Sequence, residues 1–146
     1  MIPLTLAAAA VIVDASLEKG RDMRFAPLAV VVLDERGCLK AAKAEDGCSL
    51  LRVQIATGKA WGVLGMGFGG RELARRSVKS PAFFSALIEM SGGRLVPGAG
   101  GVLIQDQEGS VLGAVGISGD TGENDELCAL HGIRTAGLQS DTGDKA

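Results

Sequence analysis

Large flat side chains are scarce in this chain. Tyrosine is absent, tryptophan occurs once, at Trp61, and aromatics make up 3% of the 146 residues. A core with so few rings must be filled by close approach of its backbone layers. Cysteine is limited to Cys38, Cys48 and Cys128, an odd number, widely spaced, with no CxxC pair. That spacing argues against a disulfide framework and a structural zinc site, and it fits free thiols in a reducing, cytoplasmic setting. Positive charge has no surplus: Lys and Arg total 15 against 17 Asp and Glu, a net charge of −2. Nucleic acid is therefore not the expected partner. No apolar run approaches the roughly 20 residues of a membrane span. The opening "MIPLTLAAAAVIV" lacks a positive n-region, and Asp14 ends it before a convincing cleavage site, so it reads as a helix and not as a secretory signal. P-loop, Rossmann, nucleophile-elbow and HExxH patterns are all missing.

What is present in excess is glycine. There are 22 glycines, roughly double the usual share of about 7%. The length suits one domain, 1–146, with its core at about 5–138 and a polar, fraying tail at 139–146. Thr5 can cap a first helix running to about Met23, with Gly20 breaking its last turn. "PLAVVVLD" (27–34) is a buried strand, and "CLKAAKAED" (38–46) is its hairpin partner across "ERG". Ser49 caps a second helix, residues 50–66, in which Gly58, Gly62 and Gly65 expose a bare backbone stripe. Glycine inside a helix costs about 1 kcal/mol, so the stripe is expected to face another element. With the low ring content, it points to a homo-oligomer. A short helix around 71–76, a helix starting at Pro81, a second hairpin at 100–118 and a closing helix from Gly122 to Leu138 complete the pattern. The fold class is α+β, with a central antiparallel sheet flanked by helices.

Read together, "GGVLIQDQEGSVLGAVGISGDTGENDELCALHGI" (100–133), "LAVVVLDERGCL" (28–39), "DGC" (46–48) and "IATGKA" (55–60) resemble the GlcG/HbpS-like haem-binding family, related to the C-terminal domain of PduO-type proteins. The resemblance spans about residues 5–138. It implies a profilin-like fold, usually oligomeric, in proteins that bind haem or accompany small-molecule catabolism, with enzymatic roles also found. Three positions depart from the family pattern. Ala44 stands where a basic residue is common, Leu103 stands in place of a proline, and His131 occupies a position usually held by a small residue.

The candidate site gathers in "SGDTGENDELCALHGI" (118–133). Asp120 or Thr121 can cap the closing helix, with Glu123 and Asp125 in its first turn, where the macrodipole favours carboxylates. The amides of Gly119 and Gly122 can alternatively hold an oxyanion or carboxylate. His131, the single histidine, is a core residue, a haem ligand or a proton carrier. The stem of Lys59 can pack while its ammonium meets solvent or a carboxylate; otherwise it binds a substrate carboxylate or a haem propionate. Arg71, Arg75 and Arg76 form a solvated basic face, with propionate or partner binding as the alternative.

The ligand-binding candidates are thus Lys59, Gly100, Gly101, Gly119, Asp120, Thr121 and His131, with no metal site. The expected function is binding of a small ligand, with haem as the possible cofactor. The alternative is a cofactor-free hydrolase or isomerase acting on a small oxo- or hydroxy-acid, in which His131, Lys59, Glu123 and Asp125 are catalytic.

Overall fold

The computed structural model describes residues 3–144; residues 1, 2, 145 and 146 of the expected domain lie outside the described residues. Helix α1 (Leu6–Asp22) is followed by strands β1 (Ala29–Asp34) and β2 (Leu39–Ala44). Helices α2 (Arg52–Met66), α3 (Gly70–Lys79) and α4 (Pro81–Met90) come next. Strands β3 (Gly101–Gln105) and β4 (Val111–Ser118), helix α5 (Gly122–Thr135) and strand β5 (Gln139–Asp141) close the order. The strands form one antiparallel sheet in the order β2-β1-β4-β3-β5. This is the expected α+β, profilin-like arrangement.

Strand alternation divides the core in two. Val30, Val32, Val102, Val115 and Ile117 face α1 and α5, packing with Ile12, Ala129 and Ile133. Ala29, Val31, Leu33, Leu103 and Ala114 face α2 and α3, packing with Ala56, Ala60, Val63 and Leu73. Glycine sets the spacing of the second layer. A Cβ on Gly116 of β4 would fall 1.9 Å from the Ala56 carbonyl oxygen of α2. No side chain fits there, so helix backbone rests on strand backbone.

Several local expectations change. Thr5 does cap α1, its Oγ1 accepting from the Ala8 N–H at 3.0 Å. Gly20 does not break that helix; it is a contact point, where a Cβ would meet Leu28 Cδ1 at 2.7 Å. Ser49 does not cap α2, whose N-cap is Leu51 with no side-chain bond; Ser49 contributes its carbonyl to the Arg52 N–H. Two glycines of the stripe face other parts of this chain: Gly58 is pressed against Val96 and the Arg94 carbonyl, and Gly62 against Leu95, while Gly65 is exposed.

Helix α5 stops at Thr135, short of Leu138. Gly137 takes φ 77°, Leu138 donates to the Ile133 carbonyl, and Gly137 donates to the Arg134 carbonyl. This paired C-terminal motif needs a left-handed residue and turns the chain back. The turn delivers 139–141 to the open edge of β3, so the start of the expected fraying tail is an edge strand.

The Gly116 contact makes a sharp expectation. Gly116→Ala should cost about 3 kcal/mol, because the new methyl must push α2 off the sheet. A urea melt checks it, and an unchanged midpoint would refute the close-contact account.

Candidate functional site

Lys59 lies on α2 beside Gly58, where the helix meets the end of the sheet. The residue is buried, at 8% exposure. The ammonium donates to the Ile117 carbonyl at 2.9 Å and to Asp125 Oδ2 at 3.3 Å. Asp125, in the first turn of α5, is 1% exposed, and its other oxygen accepts from the Asp120 N–H at 3.0 Å. Lys59 thus ties a helix on one face of the sheet to a helix on the other. Burial pulls the lysine below its ordinary range and pushes Asp125 above its own, while their mutual attraction opposes both shifts.

Gly100 makes this crossing possible. It sits at φ 106°, and a Cβ there would lie 2.9 Å from Lys59 Nζ and 3.1 Å from Asp125 Cβ. Gly101, next to it, abuts the Lys59 carbonyl in the same way.

Asp120 is held by its surroundings. Oδ1 accepts from the Ala26 N–H, and Oδ2 accepts from the Thr121 N–H and from Asn124 Nδ2. These donors, the Ala26 amide foremost, hold its carboxyl below the ordinary carboxylate range. Thr121 is the N-cap of α5, its Oγ1 accepting from the Asn124 N–H. Gly119 is pressed against the Pro27 carbonyl and Leu28.

The structure therefore assembles Lys59, Gly100, Gly101, Asp120 and Asp125 around one buried tie. Thr121 caps the helix beside it, and Glu123 is exposed. His131 is half-buried and lies six residues beyond Asp125, which turns it by about 120° around the helix axis to another face. It does not join the cluster. Among the described residues, no group of three or more His, Cys, Asp or Glu can hold a metal ion.

Two polar contacts were not legible in the sequence. Arg71 donates to both oxygens of Glu126, with Nε–Oε2 at 2.8 Å, so it leaves the expected solvated face and braces α3 against α5. Arg52 donates to the buried Ser118 hydroxyl at 3.1 Å. The adjacent acids Asp125 and Glu126, followed by Cys128 and Ala129 on the same buried side, are the sequence signal for inward-facing carboxylates. The cysteines are free, and burial pushes the Cys128 thiol up to about 12.

The open surface lies elsewhere. A cleft of about 610 Å³ between the end of α2, α3 and α4 is lined by Met66, Glu72, Arg75, Arg76, Lys79, Ser80, Phe83 and Phe84. One of about 490 Å³ lies between Arg21, Phe25 and the Ala44–Asp46 turn. Another, of about 440 Å³, lies under Asp106, Glu108 and Leu138. A smaller one of about 350 Å³ is walled by Trp61 and Arg94, with the guanidinium 4.3 Å over the indole ring.

The family model described as haem degrading protein HbpS-like matches residues 4–134. Among solved structures, the chain is similar to a PduOC–haem complex, with 23% identity over 94% of this chain and 98% of that one, at a TM-score of 0.84. It is also similar to Klebsiella pneumoniae protein ORFY, with 25% identity over 94% and 93% at 0.83. A double mutant of Streptomyces reticuli HbpS shows 24% identity over 92% and 87% at 0.79. No curated protein matches the chain significantly.

The buried tie can be tested by cutting half of it. Lys59→Met should cost about 3–5 kcal/mol, because Asp125 is left buried without its partner. Its carboxyl then holds a proton more tightly folded than unfolded, so the variant should lose stability as pH rises above the usual carboxylate range. Adding Asp125→Leu should recover most of the loss and remove that pH dependence. Urea melts at about pH 5 and about pH 8 read both effects, and a double variant no more stable than the single would sink the account.

Proposed function

This chain belongs to the HbpS-like family, and we propose that it is a small-ligand-binding protein whose ligand is haem. The observation that carries the reading is the state of Lys59. Catalysis on a small oxo- or hydroxy-acid needs that ammonium to hold the substrate carboxylate. It is instead buried and shared between the Ile117 carbonyl and Asp125. The candidate acid–base groups Asp125 and His131 lie on different faces of α5. The polar cluster therefore serves the scaffold, and the surface clefts serve the ligand. The solved haem complex of a similar fold supports the ligand's identity.

The donor set fits haem. Haem iron is held by an imidazole, a thiolate, a phenolate, or a thioether paired with an imidazole. Among the described residues, His131 and Met66 are half-buried, sheltered enough to exclude water and open enough to be reached, whereas Met23 and Met90 are exposed. Arginine and lysine side chains stand ready for the propionates. When bound, the group supplies iron redox chemistry; the protein supplies ligation, apolar walls and charge.

No helix among the described residues is long and apolar enough to cross a membrane. A homo-oligomer stays part of the proposal on new grounds. Leu50, Leu51 and Val53 stand exposed together at the start of α2, Leu50 at 93%, and such clustered apolar surface favours burial against a second chain.

Two measurements test this function. Haemin added to purified protein should give a saturable, red-shifted Soret band at about one per chain; an unshifted spectrum at excess protein would refute haem binding. Light scattering at micromolar concentration should report a mass above one chain, and a monomer would refute the assembly.

A further inference from the structure

Residues 139–144 form an arm that lies beyond the stretch 4–134 matched by the family model. Its sequence, "QSDTGD", contains no apolar side chain, so the arm carries no apolar side chain to bury. Backbone pairing and charge hold it instead.

Two elements receive the arm. Strand β5 pairs with the outer edge of β3, Asp141 opposite Leu103 and Gln139 opposite Gln105. Beyond it the chain crosses the start of α3, where the Thr142 carbonyl accepts from the Arg71 N–H at 3.0 Å. Helix α3 has no side-chain cap at Gly69, and the amides of a first helical turn have no partner within their own helix. The arm supplies the missing acceptor. The crossing is close because both segments are bare there. Gly143 stands at φ 83°, and a Cβ on it would lie 2.7 Å from the Glu72 nitrogen. A Cβ on Gly69 would overlap the Thr142 backbone.

Charge completes the closure. Arg75, one turn along α3, donates to the Gly143 carbonyl and to Asp144 Oδ1, the latter at 3.3 Å. The side chains of this ion pair are 49% and 61% exposed, so dissolved salt screens it. At the root, Gly137 turns the chain at φ 77° and Leu138 packs on the core. A segment with an anchored root and a tip held by polar contacts alone can open without unfolding the sheet.

We propose that residues 139–144 are a salt-sensitive strap, closed over the β3 edge and the start of α3, that opens about Gly137 independently of global unfolding. Closed, it holds Arg75, which also lines the α3–α4 cleft. Open, it returns that arginine to the cleft and leaves the β3 edge unpaired, the condition in which an edge accepts another extended chain. The strap couples ionic strength to the charge of one cleft and to the availability of one sheet edge, whatever ligand the protein binds.

The Arg71 amide reports the strap directly, since its acceptor is Thr142. The test follows amide exchange by NMR on the full chain at about 0.05 M and about 0.5 M NaCl. The Ala8 amide, held at the start of α1 by the neutral Thr5 hydroxyl, is the reference. Relative to it, Arg71 should exchange about two- to fivefold faster at the higher salt, the range an exposed ion pair supports. Asp144→Asn should reach the faster rate already at low salt and lose most of the salt response. Gly69→Ala keeps every charge, at a φ of −68° that alanine adopts freely. It should open the strap at both salt concentrations and leave the urea midpoint as in the parent.

Arg71 exchange that ignores salt in the parent, or that rises only in step with the buried Val115 amide, would overturn the strap. An Asp144→Asn variant with the parent's salt response would remove charge as its fastening. Gly69→Ala with Arg71 as protected as before, or with a lowered urea midpoint, would make 139–144 a fixed part of the fold and end the proposal.

Discussion

The contact of α2 with β4 sets the dimensions of everything else. Because Gly116 has no side chain, the Ala56 carbonyl rests on the strand itself, and Ala60 packs one turn along. The helix axis lies nearer the sheet than Leu or Phe would permit. From that depth, Lys59 can pass the end of the sheet and reach the Ile117 carbonyl and Asp125. A helix held farther out by one added methyl layer would leave the ammonium short of both acceptors. The glycine at 100 completes the arrangement by leaving room for Nζ.

A buried lysine–aspartate pair is a costly way to join two helices, since desolvation opposes its attraction. Here it does something that apolar contact cannot. Asp125 also receives the Asp120 N–H, while Asp120 receives Ala26, so one chain of hydrogen bonds fixes the loop before β1, the loop before α5 and the end of β4. The sheet face is packed by small residues with little shape of their own, and this directional network sets the register that shape alone leaves loose. The same network gives Lys59, Asp120 and Asp125 partners within the protein.

Helices α3 and α4 touch the sheet less than α2 does. Helix α3 buries Gly70 and Leu73 and little else, and α4 buries Phe84 alone among its residues. Their outer faces keep cations and a ring that the core has no use for. A scaffold poor in aromatics has placed two of its four phenylalanines on one such wall.

Much of the fold was legible in order and type: the two hairpins, the Thr5 cap, Pro81 at a helix start and the α+β class all follow from local spacing and composition. Local pattern carries these because each depends on neighbours within a turn or a hairpin. What it misplaced depended on distance in sequence. Gly137 ended α5 early and sent 139–141 to pair with β3, a partner more than thirty residues away. The glycine stripe pointed to a contact without saying that Val96 and Leu95 of the same chain supply it. The candidate site divided along the same line. That Lys59, Asp120 and Asp125 matter was readable from their settings; that they would neutralise one another inside the fold was not. The sequence by itself determined the elements, the caps and the family resemblance, all set by residues close along the chain. Only the tertiary structure decided that Lys59 would pair with Asp125, 66 residues away. Burial and charge pairing are properties of the packed assembly, and no window of sequence contains both partners.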